Sequence, residues 1–245
     1  MTDHIVHTAT RGRVGWVTYD RASRGNSFTE PALADLVAAL EGLAGDESVS
    51  CIRLEMAGRH FCTGWDTADF GRLAASPQAE IEESLRANDR TLERVRRLPV
   101  PVVAAVRGRV AGFGAGLLAA VQVPIGSTTT SLALPEVGFG ISPAGVLHAL
   151  VQRLPLPAVH LMTQSGTVAD SEEMLRWGLL ARVVADADLD DSCESLVTAM
   201  AQAPGSVLRT ISAAVHDVVD AGSPEPAYAA AARSILTGTS KGEAR

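Results

Sequence analysis

Residues 101–116 read PVVAAVRGRVAGFGAG, and the choice of fold turns on them. The run 102–106 is apolar without alternation, which predicts a strand buried on both faces. A glycine-rich turn follows at 108–116, and an apolar helical stretch continues to about residue 120. As a dinucleotide fingerprint the GxGxG run is weak, because it lies mid-chain and no clear acidic partner ends a strand about 20 residues later. A strand, glycine turn and helix in that order do supply backbone N–H groups at a helix N-terminus, which suit an oxygen that gains negative charge. A glycine-packed crossing of helix and strand is the plainer account of the same residues.

Two further segments have related character. Residues 60–66, HFCTGWD, form a second turn after a predicted strand, so two sets of exposed N–H groups could converge on one carbonyl oxygen. Residues 133–140, ALPEVGFG, hold Glu136 between apolar neighbours. A carboxyl group held there has its pKa raised and can exchange protons near neutral pH. A glutamate after a proline is otherwise a common helix-start residue.

Working outward, residues 14–19 read as a strand and DRASRGNS as a loop. Thr29 and Pro31 mark a helix start, and Leu33, Leu36, Val37, Leu40 and Leu43 give that helix one apolar face. Residues 50–56 alternate like a strand. A polar helix is predicted from Ser76-Pro77 to about Arg97, and strands near 123–125 and 131–134. Later helices are predicted at about 144–154, 158–164, 171–178, 189–203 and 205–221. Strands alternating with helices imply a parallel sheet. Pattern alone favours a doubly wound sheet and does not distinguish it from a spiral of ββα units.

Composition narrows the function classes. A net charge of −7 argues against a nucleic-acid partner, which calls for a basic face. The polar start MTDHIVHTATRGR resembles no secretory leader, and no apolar run is long enough to span a bilayer. Cys51, Cys62 and Cys193 have no metal-ligand spacing, so no metal site is expected, and reduced thiols in a cytoplasmic protein are the reading adopted. Aromatic residues are only 4% of the chain, so the core is expected to pack from small residues that let backbones approach closely. His60 and His148 read as a surface residue and a helix-face residue.

Taken in order, Asn26, FCTGWD, PVVAAVRGRVAGFGAG, LALPEVGFGISPAG and RWGLLARVV resemble the enoyl-CoA hydratase/isomerase (crotonase) family over residues 14–184. The resemblance implies an α/β fold, a crotonase-type spiral of repeated ββα units over residues 1–189. A C-terminal helical region at 190–245 would pack subunits into a homo-trimer or hexamer. It implies an oxyanion hole from the backbone N–H groups of Trp65 and Phe113, with Glu136 moving a proton at the α-carbon. Gly64, Asp66, Gly112, Gly114, Arg21, Arg24 and Asn26 become candidates for substrate binding, the two arginines through the phosphates of a CoA or pantetheine arm. No cofactor is implied beyond the phosphopantetheine that carries the acyl group.

Two departures matter. The position where hydratases carry a second glutamate is Gly116, and an aspartate common near the end of the next helix is Gln122. The glycine, with FCTGWD and GRVAGFGAG, resembles a polyketide β-branching branch that dehydrates 3-hydroxy-3-methylglutaryl groups on an acyl carrier protein. Dehydration of a 3-hydroxyacyl thioester through an enolate is therefore the expected reaction, by a lyase, with an acyl carrier protein as a possible partner. Decarboxylation of a glutaconyl-type thioester, a general enoyl-CoA hydratase or isomerase, and a non-catalytic crotonase-like binding subunit are the alternatives.

Overall fold

The computed structural model describes residues 5–223 together with positions 225, 228, 231 and 232. The chain opens with an antiparallel hairpin of β1 (Val6–Arg11) and β2 (Val14–Tyr19). α1 (Glu30–Gly45) starts where Thr29 caps it, the hydroxyl accepting from the Ala32 amide. β3 (Cys51–Met56), α2 (Thr67–Ala74) and α3 (Gln78–Arg96) come next, followed by β4 (Val102–Val106), β5 (Arg109–Ala111) and α4 (Phe113–Ala120). Then β6 (Val123–Ser127), β7 (Ser131–Ala133), a 3₁₀ turn at Pro135–Phe139, α5 (Ala144–Arg153), α6 (Leu156–Ser165) and β8 (Ala169–Asp170) follow. The described elements end with α7 (Ser171–Arg176), β9 (Arg182–Val184), α8 (Leu189–Ala201) and α9 (Gly205–Ala221).

The strands divide between two sheets. One has the order β1-β2-β3-β4-β6-β9 and is parallel beyond the first hairpin; the other has the order β5-β7-β8. Strand order in the larger sheet only rises with chain order, so the chain never doubles back. A doubly wound sheet would reverse direction at a switch point. Instead the turns through β4 and β6 each lay one strand in the large sheet and a short one, β5 or β7, in the small sheet before a helix closes them. Single bridges from Phe28 to Trp65 and from Cys62 to Val110 carry that pattern back to the N-terminal turns. The architecture is a crotonase-type spiral.

β4 explains why its sequence is apolar throughout. Val102, Ala104 and Val106 face the main core beneath the helices, while Val103 and Ala105 face Cys193 and Val197 of α8. α8 and α9 are thereby seated on the spiral. Arg53, only 4% exposed, reaches Asp190 of α8 at 2.8 Å, and Arg209 of α9 donates to the carbonyls of Ala44, Asp46 and Val49 at the end of α1. The rest of the expected C-terminal helical region lies largely outside the described residues.

Candidate active site

The first turn is built around Asn26, whose φ of 54° is unusual for a residue with a side chain. Its Oδ1 accepts from the Arg21 amide, and its Nδ2 donates to the carbonyls of Ala57 and His60. Asn26 is fully buried, so it braces the loop from within. Phe28 then donates its amide to the Gly64 carbonyl at 2.9 Å and accepts from the Asp66 amide at 2.7 Å. Those two bonds flank Trp65 and leave its own N–H outside the bridge. Asp66 caps α2 through the Ala68 amide and pairs with Arg21 at 2.8 Å. Arg21 also donates to the carbonyl and hydroxyl of Ser27. The guanidinium beside it holds the Asp66 carboxyl below the usual carboxylate range.

The second turn centres on Gly112, with φ 51° and ψ −124°, a conformation open in practice to glycine. Its amide donates to the Ala133 carbonyl, and α4 begins at the next residue. Every residue of α4 is buried, and Gly114 lets it approach the first turn so closely that a Cβ there would lie 2.8 Å from the Cys62 carbonyl oxygen. Among the described residues neither the Trp65 nor the Phe113 amide has a hydrogen-bond acceptor.

Glu136 stands in the 3₁₀ turn after β7. A Cβ added to Gly112 would be 3.1 Å from its Oε1 and 3.7 Å from the Cα of Gly64. Gly64, Gly112 and Glu136 thus meet at one point although up to 72 positions separate them. Burial raises the Glu136 pKa, only partly offset by its own backbone amide, and Oε2 is enclosed with no hydrogen-bond partner among the described residues.

Gly116 is filled from outside. A Cβ there would lie 2.7 Å from both Leu92 Cδ1 and Val146 Cγ1, so any side chain at this position must displace them. Gln122 ties β4 to the end of α3, accepting from the Val102 amide and donating to the carbonyls of Val95 and Arg96. Of the two loop arginines, Arg21 is engaged inside the protein and Arg24 is exposed. His60 accepts from the Arg109 amide, and His148 sits exposed beside Asp89. Among the described residues no group of three His, Cys, Asp or Glu is placed to hold a metal ion.

Beside the turn that carries Trp65 lies a cavity of about 710 Å³, lined by Trp65, Pro31, Phe70 and Leu73, and on α3 by Leu85 and Asn88. The Trp65 ring both lines it and packs against Phe113, their centroids 5.0 Å apart. No local motif marks the cavity residues of α2 and α3. The available signal was a polar residue on an otherwise apolar stripe, Asn88 with Leu92 and Val95.

The profile of the enoyl-CoA hydratase/isomerase family matches residues 9–244. The chain belongs to that family. A carnitinyl-CoA dehydratase of Proteus mirabilis is 33% identical over 199 residues, covering 80% of this chain and 74% of its own. A 1,2-epoxyphenylacetyl-CoA isomerase of Escherichia coli is 28% identical, covering 88% and 83%. A crystal structure of an enoyl-CoA hydratase from Mycobacterium smegmatis superposes with a TM-score of 0.86 at 27% identity, covering 96% and 91%. These family relatives are named for coenzyme A thioesters. The narrower polyketide and carrier-protein expectation has no support among them and rests on the sequence motifs alone. Among the described residues, no helix is long and apolar enough to cross a membrane.

Proposed function

We propose that the protein is an acyl-CoA lyase or isomerase that forms an enolate and works with one carboxylate. The observation that carries this reading is the convergence of Gly64, Gly112 and Glu136. The thioester oxygen would sit between the Trp65 and Phe113 amides, each donor worth about 2.7–4 kcal/mol as charge develops. Glu136 would take the α-proton, the C–H electrons moving into the enolate. In an elimination the enolate collapses, the β-hydroxyl leaves, and the protonated Glu136 gives it the proton to form water. Run backwards, the same steps are a hydration. In an isomerisation the proton returns at the γ-carbon instead. Each path needs one acid–base group, which agrees with a glycine at position 116 that supplies no second one. Coenzyme A as the carrier replaces the acyl carrier protein in this reading, because the relatives' substrates are CoA thioesters.

The test is α-proton exchange. The protein in D₂O with an acyl-CoA should give deuterium at the α-carbon by NMR, and Glu136→Gln should not. A 3-hydroxyacyl-CoA losing water marks the lyase, and a 3-enoyl-CoA converted to the 2-enoyl form marks the isomerase. Release of CO₂ from a glutaconyl-type thioester would point to the decarboxylase instead. Thioester binding with no exchange on any of these would leave the non-catalytic binding subunit.

A further inference from the structure

Asn88 is a polar residue on the buried face of a helix. It lies on α3, is 8% exposed, and among the described residues has no hydrogen-bond partner. Its neighbours on the buried stripe of α3, Leu92 and Val95, are apolar. Its amide lies against Gly145 of α5, where an added Cβ would be 3.5 Å from Nδ2. The same side chain lines the cavity that Trp65 opens onto. Its amide atoms are unpaired but not sealed off, so a group that enters the cavity can meet them. An apolar residue there would fill the same space and offer no hydrogen bond.

We propose that Asn88 determines specificity by hydrogen-bonding an uncharged polar group, a hydroxyl or carbonyl oxygen, on the acyl chain. The inference deepens the acyl-CoA reading and rests on it. An amide both donates and accepts, so it serves either group. A free carboxylate is a poorer occupant. The lining carries Glu30, Asp69, Glu80 and Glu83 with one cation, Arg72; Arg72 pairs with Asp69 and Arg90 with Glu83, while Glu30 and Glu80 have no ion pair among the described residues. A second negative charge would meet repulsion from this lining.

The test compares hexanoyl-CoA with 3-hydroxyhexanoyl-CoA and 5-hydroxyhexanoyl-CoA. Binding is measured by calorimetry in the Glu136→Gln background, so that nothing turns over. That background protein should bind at least one hydroxylated thioester more tightly than hexanoyl-CoA, and adding Asn88→Leu should cut that preference about tenfold, one hydrogen bond's worth. Affinity for hexanoyl-CoA should hold or improve. Asn88→Ala, which removes bulk as well, should lose the same preference, and guards against misfolding of the leucine variant. A preference that survives both substitutions, or no preference in the protein that keeps Asn88, overturns the assignment. Exchange of the α-protons of hexanoyl-CoA in protein with Glu136 intact is a separate readout. If it persists while the preference is unaffected by Asn88, the specificity proposal fails and the enolate reading stands.

Discussion

Oε1 of Glu136 lies 3.1 Å from where a Cβ would stand on Gly112, the residue just before the Phe113 amide. Only a glycine leaves that approach open, so carboxylate and amide can act on neighbouring atoms of one substrate. Gly112→Ala should therefore strain the turn and push into Glu136 together. We expect kcat/KM to fall by about 100-fold, the penalty for misplacing groups by an ångström, with CoA-thioester binding reduced far less. Steady-state kinetics and calorimetry check the split.

Glu136 itself should show a functional and a stability signature. As a base it must be ionised, and burial raises its pKa, so the acidic limb of the kcat/KM profile should fall above the ordinary glutamate range. Glu136→Gln should lower turnover by about 10²–10⁴ and remove that limb. For stability the sign runs the other way. A raised folded-state pKa contributes stability fully present below the unfolded value and lost as pH rises through the folded one. At neutral pH the ionised, buried carboxylate is a cost that glutamine lacks. Glu136→Gln should then be more stable by about 0.5–2 kcal/mol at pH 7, with the advantage vanishing at acid pH in thermal melts.

Gly116 makes a different case, one of space. Leu92 and Val146 already occupy the volume that a side chain would need. Gly116→Ala should cost about 1–3 kcal/mol from overpacking. Gly116→Glu should fail to raise hydratase activity and should destabilise the fold further. Trimming Val146 to Ala in the Gly116→Ala background should recover part of the loss in denaturant titrations.

The pairing of Arg21 with Asp66 links the first loop to the turn that presents Trp65. Arg21→Met should loosen that turn and reduce kcat/KM by up to about 100-fold. It should also free the Asp66 carboxyl to titrate nearer its ordinary value. Because Asp66 has a depressed pKa in the fold, its contribution is present above the unfolded value and is lost as pH falls through the folded one. The stability gap between wild type and Arg21→Met should thus close in strongly acid solution.

Much of the spiral is legible in the sequence where burial is periodic. β2 and β4 coincide with their predicted ranges because their apolar residues face the core. β1 escapes because VHTATR is an exposed edge strand with almost nothing buried to set a period. α2 escapes because none of its eight residues is buried; only the Asp66 cap announces it. The sequence pattern suggested a doubly wound sheet because strands as short as β5 and β7 do not declare which sheet they join. At the site, the glycines and Glu136 stand out by residue type. The Arg21–Asp66 pair spans 45 positions, and the cavity at Asn88 depends on how α2 and α3 fold over Trp65. No local pattern carries such distances.

The last expectation concerns assembly. α9 is held to its own chain by Arg209 and by the Arg96 and Arg97 contacts to Asp220. Its Val207, Ile211, Val215 and Val219, spaced four residues apart, remain 37–59% exposed. A stripe of that kind at regular spacing is the face a further copy of the chain would cover. The native protein should sediment as a trimer or hexamer, and Ile211→Glu with Val219→Glu should shift it toward a single chain of 25.5 kDa. A native protein running as the single chain would refute the expectation. Gly64, Gly112 and Glu136 all come from one chain, so the dissociated variant should keep measurable α-proton exchange; its complete loss would mean that a neighbouring subunit completes the site.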